Sequence, residues 1–171
     1  MAAIPRRVTW AVRELDVQPA DQILEVGCGD GHALSLIAQT PGVRVVGVDR
    51  SALAIRAATK RNGDGLRSGR VQLVESELAE LRLADRFTKV FALNVNVFWH
   101  RPKKELAVIR DLLVPGGVLL VLFEPPSADQ IDEIAGLCRR NLEAGGFSVE
   151  EVSRAKLPAS VGLLIRATIG S

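Results

Sequence analysis

The chain alternates short apolar runs with amphipathic stretches along most of its length. Five apolar runs predict strands over residues 23–27, 44–49, 71–75, 89–95 and 117–124. Four intervening stretches carry apolar residues near a 3.6-residue period, which predicts helices over residues 32–39, 51–61, 102–114 and 127–144. A further helix is expected before the first strand. Pro102 suits a helix start, and Pro115-Gly116-Gly117 should end that helix and turn the chain into the fifth strand.

Strands that alternate with helices of this length imply crossover connections, which place a parallel sheet between two layers of helices. The pattern changes near the end, where residues 147–157 and the run from Val161 flank a short turn containing Pro158, like a hairpin. We therefore predict a doubly wound α/β fold with a mostly parallel seven-stranded sheet, helices on both faces and one antiparallel edge strand. No repeat or linker interrupts residues 1–171, so a single domain is expected.

Composition and charge narrow the class of protein. Of the 171 residues, 47% are hydrophobic and 25% charged, which is typical of a globular domain. The net charge is only +2 and the basic residues are scattered, which disfavours a nucleic-acid surface. Cys28 and Cys138 lie far apart without metal-ligand spacing, so we expect reduced thiols and no metal site. The longest apolar run, residues 118–123, is too short to cross a bilayer, and a cytoplasmic protein without membrane contact is expected.

The turn after the first predicted strand is rich in glycine and reads EVGCGDG over residues 25–31. In a sheet of this kind ligands bind beyond the carboxyl ends of the strands, and this turn is the usual cofactor loop. A dinucleotide fingerprint would need glycine at position 32, where His32 stands. Glu25 and Asp30 would repel a pyrophosphate but not a ligand with ammonium and sulfonium groups. An anionic dinucleotide is therefore disfavoured.

This turn resembles the glycine motif of class I S-adenosylmethionine-dependent methyltransferases, a Rossmann-like family. Asp49, at the end of the second strand, resembles the acidic position at which the family binds both ribose hydroxyls. The segment 76–81 resembles the one that holds adenine, with Glu77 as acceptor for the adenine amino group. FALNVNVFW resembles the fourth strand and LLVPGGVLLV the family's Pro-Gly-Gly turn, so the resemblance covers roughly the whole chain in the right order.

The resemblance implies S-adenosyl-L-methionine as cofactor and S-adenosyl-L-homocysteine (SAH) as product. It assigns a cofactor-binding half to residues 21–125, after an N-terminal helix in residues 1–20 and before a C-terminal helix and hairpin in residues 126–171. The cofactor-binding residues are then Glu25, Gly27, Cys28, Gly29, Asp30, Gly31, Asp49, Arg50, Ser76, Glu77, Leu78 and Asn94. Glu25 matches the position near the methionine end of the cofactor, although a carboxylate facing water is the alternative. For Glu77 a solvated acidic loop is an equal alternative.

Two departures from the family pattern affect the interpretation. Thr88 stands where many relatives have an acidic residue before the fourth strand, and a structural role is expected there. No segment is long enough to form the cap that many relatives carry over the acceptor. The acceptor site is therefore expected to be open, completed by a homodimer or another partner chain, or covered by the N-terminal helix. Trp10 on that helix is more typical of a core residue than of a lid.

The acceptor itself is indicated only by side chains after the fourth and fifth strands. Asn96, Trp99 and Glu124 are candidate substrate residues, and His100 is a candidate base, since it is the only histidine near the expected acceptor face. Structural readings stay open: Trp99 could cap the core, His100 could be an exposed turn residue and Glu124 could simply end its strand.

Three functions compete, and a methyltransferase with a small-molecule acceptor is favoured because the chain has neither a basic surface nor a recognition domain. An RNA or protein methyltransferase is the second. Asn94-Val95-Asn96-Val97 stands where enzymes that methylate base amino groups carry an Asn/Asp-Pro-Pro-aromatic tetrad, so no DNA-base motif is present. The third is a non-catalytic S-adenosylmethionine-binding partner subunit.

Overall fold

The computed structural model describes residues 3–169 and contains seven strands and six α-helices. The strands are β1 Gln22–Val26, β2 Arg44–Asp49, β3 Val71–Glu75, β4 Phe87–Leu93, β5 Leu113–Phe123, β6 Phe147–Leu157 and β7 Ser160–Ile169. The helices are α1 Arg6–Leu15, α2 His32–Ile37, α3 Ala52–Arg61, α4 Gly63–Arg67, α5 Lys103–Leu112 and α6 Ile131–Ala144. None of these helices combines the length and the apolar character needed to cross a membrane.

All seven strands form one sheet in the order β3-β2-β1-β4-β5-β7-β6. The pairs among β1 to β5 are parallel, whereas β7 runs antiparallel to both β5 and β6. The predicted fold is confirmed, and the antiparallel strand β7 lies near the edge of the sheet, between β5 and the edge strand β6. Strand order reverses between β1 and β4, which is where a sheet of this topology binds ligands.

Two hydrophobic layers cover the two faces of the sheet. Successive β1 residues alternate between them, because side chains of a strand point to opposite faces. Ile23 packs in the layer that contains α1 and α2, here called the α1 layer. Leu24 packs in the layer that contains α5 and α6, here called the α5 layer.

The α1 helix packs tightly on this core. Trp10 is 3% exposed, and its ring lies over Gly162 of β7, where a Cβ would come within 2.7 Å of an indole carbon. The guanidinium of Arg166 donates a hydrogen bond to the carbonyl of Glu14 at 3.1 Å. Trp10 is therefore part of the core, as the sequence indicated.

Several predicted boundaries shift in the structure. The fifth strand begins at Leu113, so α5 ends two residues earlier than expected, and Pro115-Gly116-Gly117 forms an irregularity inside β5. Gly116 has a φ of +74° there. The sequence pattern missed α4, because five residues with two glycines carry no helical period. It also missed 3₁₀ turns at Leu78–Glu80, Asn96–Trp99 and Ala128–Gln130, the last of which opens the helix expected from Ser127.

Candidate functional site

A groove of about 660 Å³ lies at the carboxyl ends of β1, β2, β3 and β4. Its position follows from the parallel strands, whose carboxyl ends meet at one edge of the sheet. Nine residues proposed from the sequence line it: Gly27, Asp49, Arg50, Ser76, Glu77, Leu78, Asn94, Asn96 and His100. Val97 and Glu105 also line the groove, and the sequence analysis had not singled them out.

The glycine-rich loop meets the groove at Gly27, close to β2, whereas the other predicted residues of the loop are not among those that line it: Glu25, Cys28, Gly29, Asp30 and Gly31. The backbone N–H groups of Gly27 and Cys28 both donate to the carbonyl of Val48, at 2.8 and 3.0 Å. Gly27 has a φ of +70°, and a Cβ there would lie 2.6 Å from the Val95 side chain, so only glycine fits. Gly29 also has a positive φ, +54°, but a Cβ there would meet nothing within 4 Å. The backbone at Gly29 therefore borders open space that a ligand can approach closely.

Asp49 binds this loop from the end of β2. Its Oδ2 accepts a hydrogen bond from the N–H of Gly29, and its Oδ1 accepts one from the N–H of Ser51, both at 2.9 Å. Each carboxylate oxygen has two acceptor positions, so each retains one after these bonds. Asp49 is thus oriented by the backbone and can accept two further hydrogen bonds from neighbouring hydroxyl groups of a ligand.

Glu25 is the least satisfied polar side chain near the loop. It is 4% exposed, its Oε2 has no hydrogen-bond partner, and no ion pair reaches it within residues 3–169. Burial raises the pKa of Glu25 well above its usual range, and the nearby carboxylates of Asp49 and Asp30 raise it further. A ligand cation would supply the missing partner, so the site fits a group that carries an ammonium.

The outer half of the loop is held by the end of α3. Arg61 donates to the carbonyl and to the carboxylate of Asp30, both at 2.9 Å, and the Nε2 of His32 lies 3.2 Å from the same carboxylate. Asn62 donates to the carbonyl of Gly31 at 3.1 Å. Arg61 and Asn62 could not be predicted as loop contacts, since Arg61 ends a predicted helix, Asn62 follows it, and their contacts with the loop span 31 residues.

The two cysteines are unsuited to nucleophilic chemistry. Burial raises the pKa of Cys138 to about 12. Burial also raises the pKa of Cys28, and the carboxylates of Glu25 and Asp49 add to the shift. Since the thiolate is the reactive form, both thiols stay inert at neutral pH. Cys28 contributes its side chain to the α1 layer and its backbone to the loop.

A hydrogen-bonded chain links the ends of β4, β5 and β7. Asn94 has a φ of +58°, and its Oδ1 accepts from the N–H of Glu124 at 2.7 Å. The Glu124 carboxylate in turn accepts from the hydroxyl of Ser160. Glu124 is not among the residues that line the groove. Ser160 could not be predicted as a partner of Glu124, because it lies 36 residues away in the hairpin.

Two further pairs of side chains lie at the groove. Arg50 and Glu77, both exposed, approach each other to 3.8 Å where β2 and β3 end. On the α5 layer the rings of Trp99 and His100 stack with centroids 4.4 Å apart. His100 lines the groove, whereas Trp99 packs against the core with its Nε1 buried and without a hydrogen-bond partner.

Comparisons with known proteins agree with this geometry. The model of a protein family described as "Methyltransferase domain" matches residues 24–119. An uncharacterized methyltransferase of Bacillus subtilis is 27% identical over 72% of this chain and 67% of its own length. A ubiquinone/menaquinone biosynthesis C-methyltransferase of Syntrophotalea carbinolica is 32% identical over 88% of this chain and 65% of its own length.

Similarity to solved structures supports the fold. Magnesium protoporphyrin IX methyltransferase from Synechocystis, solved with bound SAH, superposes with a TM-score of 0.69 at 19% identity, covering 95% of this chain and 80% of its own. The chain spans between about one third and two thirds of the length of the first curated relatives that it matches.

Proposed function

The chain belongs to the class I S-adenosylmethionine-dependent methyltransferase family, and we propose that it binds S-adenosylmethionine in the groove and transfers the methyl group to a small-molecule acceptor. The observation that carries this proposal is the Glu25 carboxyl, which is buried beside the glycine loop without a partner. An unpaired buried carboxyl costs free energy unless a ligand compensates it. The ammonium of the cofactor's methionine part is a suitable partner.

The remaining cofactor contacts follow from the groove. The two free acceptor positions of Asp49 would take the vicinal ribose hydroxyls, with the carboxylate already fixed by Gly29 and Ser51. The open space in front of Gly29 would let the cofactor lie against the backbone. Glu77 would accept from the adenine amino group, which requires its exposed pair with Arg50 to open.

When bound, the cofactor supplies a methyl group on a sulfonium, and transfer to a nucleophile disperses charge instead of creating it. The main task of the protein is then to hold the two reactants in line at short distance. The loop that would hold the cofactor is itself held by hydrogen bonds, to Val48 on one side and from Arg61 and Asn62 on the other. Asp49 orients the cofactor without acting on the reacting atoms.

For the acceptor, the charge distribution and the relatives favour a small molecule. The net charge of +2 with scattered basic residues offers no surface for a polyanion. The relatives' names include a quinone-biosynthesis C-methyltransferase. We place the acceptor beyond the ends of β4 and β5, near Asn96 and Glu124, whereas Trp99 packs against the core behind His100.

Transfer of a labelled methyl group tests this proposal. The protein is incubated with methyl-labelled S-adenosylmethionine and a cell extract separated into metabolites, RNA and protein. We expect label in the metabolite fraction, and less label with the Asp49→Ala variant at a cofactor concentration below saturation. Label in RNA or protein would overturn the small-molecule assignment, and absence of label from every fraction, despite cofactor binding, would favour a non-catalytic partner subunit.

A further inference from the structure

His100 lies on the α5-layer wall of the groove, together with Leu78, Val97 and Glu105. Leu78 belongs to the turn after β3 that also carries Glu77, the residue proposed above for adenine. Resting on the proposed function, we propose that the His100 ring is the platform on which the adenine of the cofactor stacks. Trp99 and Asn141 are the positioning residues that hold this platform.

Trp99 holds the ring from behind. The two ring planes lie 23° apart with centroids separated by 4.4 Å, which is a stacked arrangement. Trp99 is half-buried against the α5-layer core, so it cannot follow a movement of His100 into solvent. His100 itself remains exposed within the groove. One face of the imidazole is therefore occupied by the indole, and the other can receive a planar ligand.

The backbone of the same segment is held from α6. The Nδ2 of Asn141 donates to the carbonyls of Phe98 and His100, both at 3.0 Å. Phe98, the first of these two residues, is completely buried. A ring fixed in this way loses little conformational freedom when a base stacks on it, which favours binding.

This position explains His100 better than proton transfer does. A base has to reach the acceptor, and the candidate acceptor residue Glu124 belongs to the chain that links β4, β5 and β7. The His100 wall instead includes Leu78, from the turn after β3, and three strands separate β3 from β5 in the sheet. Adenine bound near Glu77 would therefore lie closer to the imidazole than the acceptor would.

Binding of two ligands tests the assignment. SAH and 5′-methylthioadenosine share the adenosine part, but only SAH has the amino-acid part. We expect His100→Ala to weaken both by the same factor, about tenfold, and His100→Phe to restore both, because an aromatic face is sufficient for stacking. Asn141→Ala should weaken both by a smaller factor. Arg101→Ala, the exposed neighbour on the chain, is the matched control and should change neither.

Two results would overturn this assignment. One is unchanged binding of 5′-methylthioadenosine to His100→Ala, which is what a proton-transfer role predicts. The other is failure of His100→Phe to restore binding, with thermal unfolding confirming that the variant is folded. A wild-type protein that does not bind SAH would refute the proposed function instead, so the two failures are distinguishable.

Discussion

Two buried carboxyl groups lie only four residues apart, at opposite ends of β1, and their surroundings differ completely. Asp21, just before the strand, is 8% exposed and accepts hydrogen bonds from the Gln18 N–H, the Thr88 hydroxyl and the Lys89 ammonium, each at 2.8 Å. Glu25 is 4% exposed, and its Oε2 accepts none.

The pKa values reflect this difference. Burial alone would raise the pKa of Asp21, but the hydrogen bonds from Lys89, Gln18 and Thr88 outweigh it, so the pKa lies below its ordinary value. For Glu25 burial acts unopposed, and neighbouring carboxylates add to it, so the pKa is raised. A buried carboxylate that receives hydrogen bonds from the chain stabilises the fold, whereas one that receives none is suited to pair with a ligand.

The largest effect is expected on stability, from Asp21→Ala. The substitution leaves the Lys89 ammonium, which is only 14% exposed, without its carboxylate partner and with only the Asp16 carbonyl as acceptor. We expect the free energy of unfolding to fall by about 3–5 kcal/mol, as for other broken buried pairs. Urea unfolding at neutral pH measures it, with Asp111→Ala, an exposed carboxyl on α5, as the control. If the free energy of unfolding fell by less than about 1 kcal/mol, the Asp21–Lys89 pair would contribute no more than an ordinary surface ion pair.

Glu25→Gln should act on binding and not on folding. Loss of the charge that pairs with the cofactor ammonium should weaken SAH binding by about 2–4 kcal/mol, because that pair is desolvated. The free energy of unfolding should stay the same or rise, since an uncompensated buried acid is removed. Calorimetric titration and urea unfolding together measure this. If the variant bound SAH normally but unfolded easily, Glu25 would be a structural residue like Asp21.

Asp49→Ala is expected to have a smaller effect on binding than Glu25→Gln. Ribose hydroxyls that lose their acceptor weaken binding by about 1–3 kcal/mol. The N–H groups of Gly29 and Ser51 also lose their acceptor, so some stability should be lost with it. Asp49→Asn, which keeps one acceptor oxygen, should bind SAH with intermediate affinity in the same titration. Equal affinity of all three proteins would remove Asp49 from the site.

The affinity for SAH should rise with pH. Glu25 holds a proton more tightly in the free protein, where its pKa is raised, than in a complex where an ammonium favours the charged form. Binding therefore releases a proton, and the affinity increases by up to about tenfold per pH unit while Glu25 is still protonated in the free protein. The dependence should be absent in Glu25→Gln. If the SAH affinity of this variant still rose with pH, the proton released on binding would come from another group.

Asp21 should give a weaker pH effect, on stability. Its pKa is lowered by folding, so the stability it contributes is fully present above its ordinary value of 3.8 and is lost as pH falls through the lower value of the folded state. Thermal unfolding of wild type and Asp21→Asn between pH 5 and about 2 measures the difference. The two curves should converge at low pH, and parallel curves would contradict the assignment.

Much of the fold could be predicted because its signals are local. The apolar runs predicted the strands, and the helix predicted from residue 51 begins there, because the Ser51 hydroxyl accepts from the Ala54 N–H at 3.3 Å. The short α4 and the 3₁₀ turns were not predicted, since tertiary packing and not periodicity stabilises them.

The site was predictable to the extent that its residues are neighbours in sequence. The glycine loop and Asp49 follow consecutive strands, so the pattern brings them together. Arg61, Asn62 and Ser160 were missed because only the folded chain brings them to their partners. That Glu25 is unpartnered could not be predicted either, because it depends on which charges the neighbouring strands and helices bring close.

The most direct test of the central claim is calorimetric titration of the wild-type protein with SAH and, separately, with NAD. The site as described, with Glu25 unpaired and carboxylates around the loop, should bind SAH with a 1:1 stoichiometry and bind NAD weakly or not measurably. Tighter binding of NAD than of SAH would contradict the account, since a pyrophosphate would then be accepted where the carboxylates of Asp30 and Asp49 should repel it.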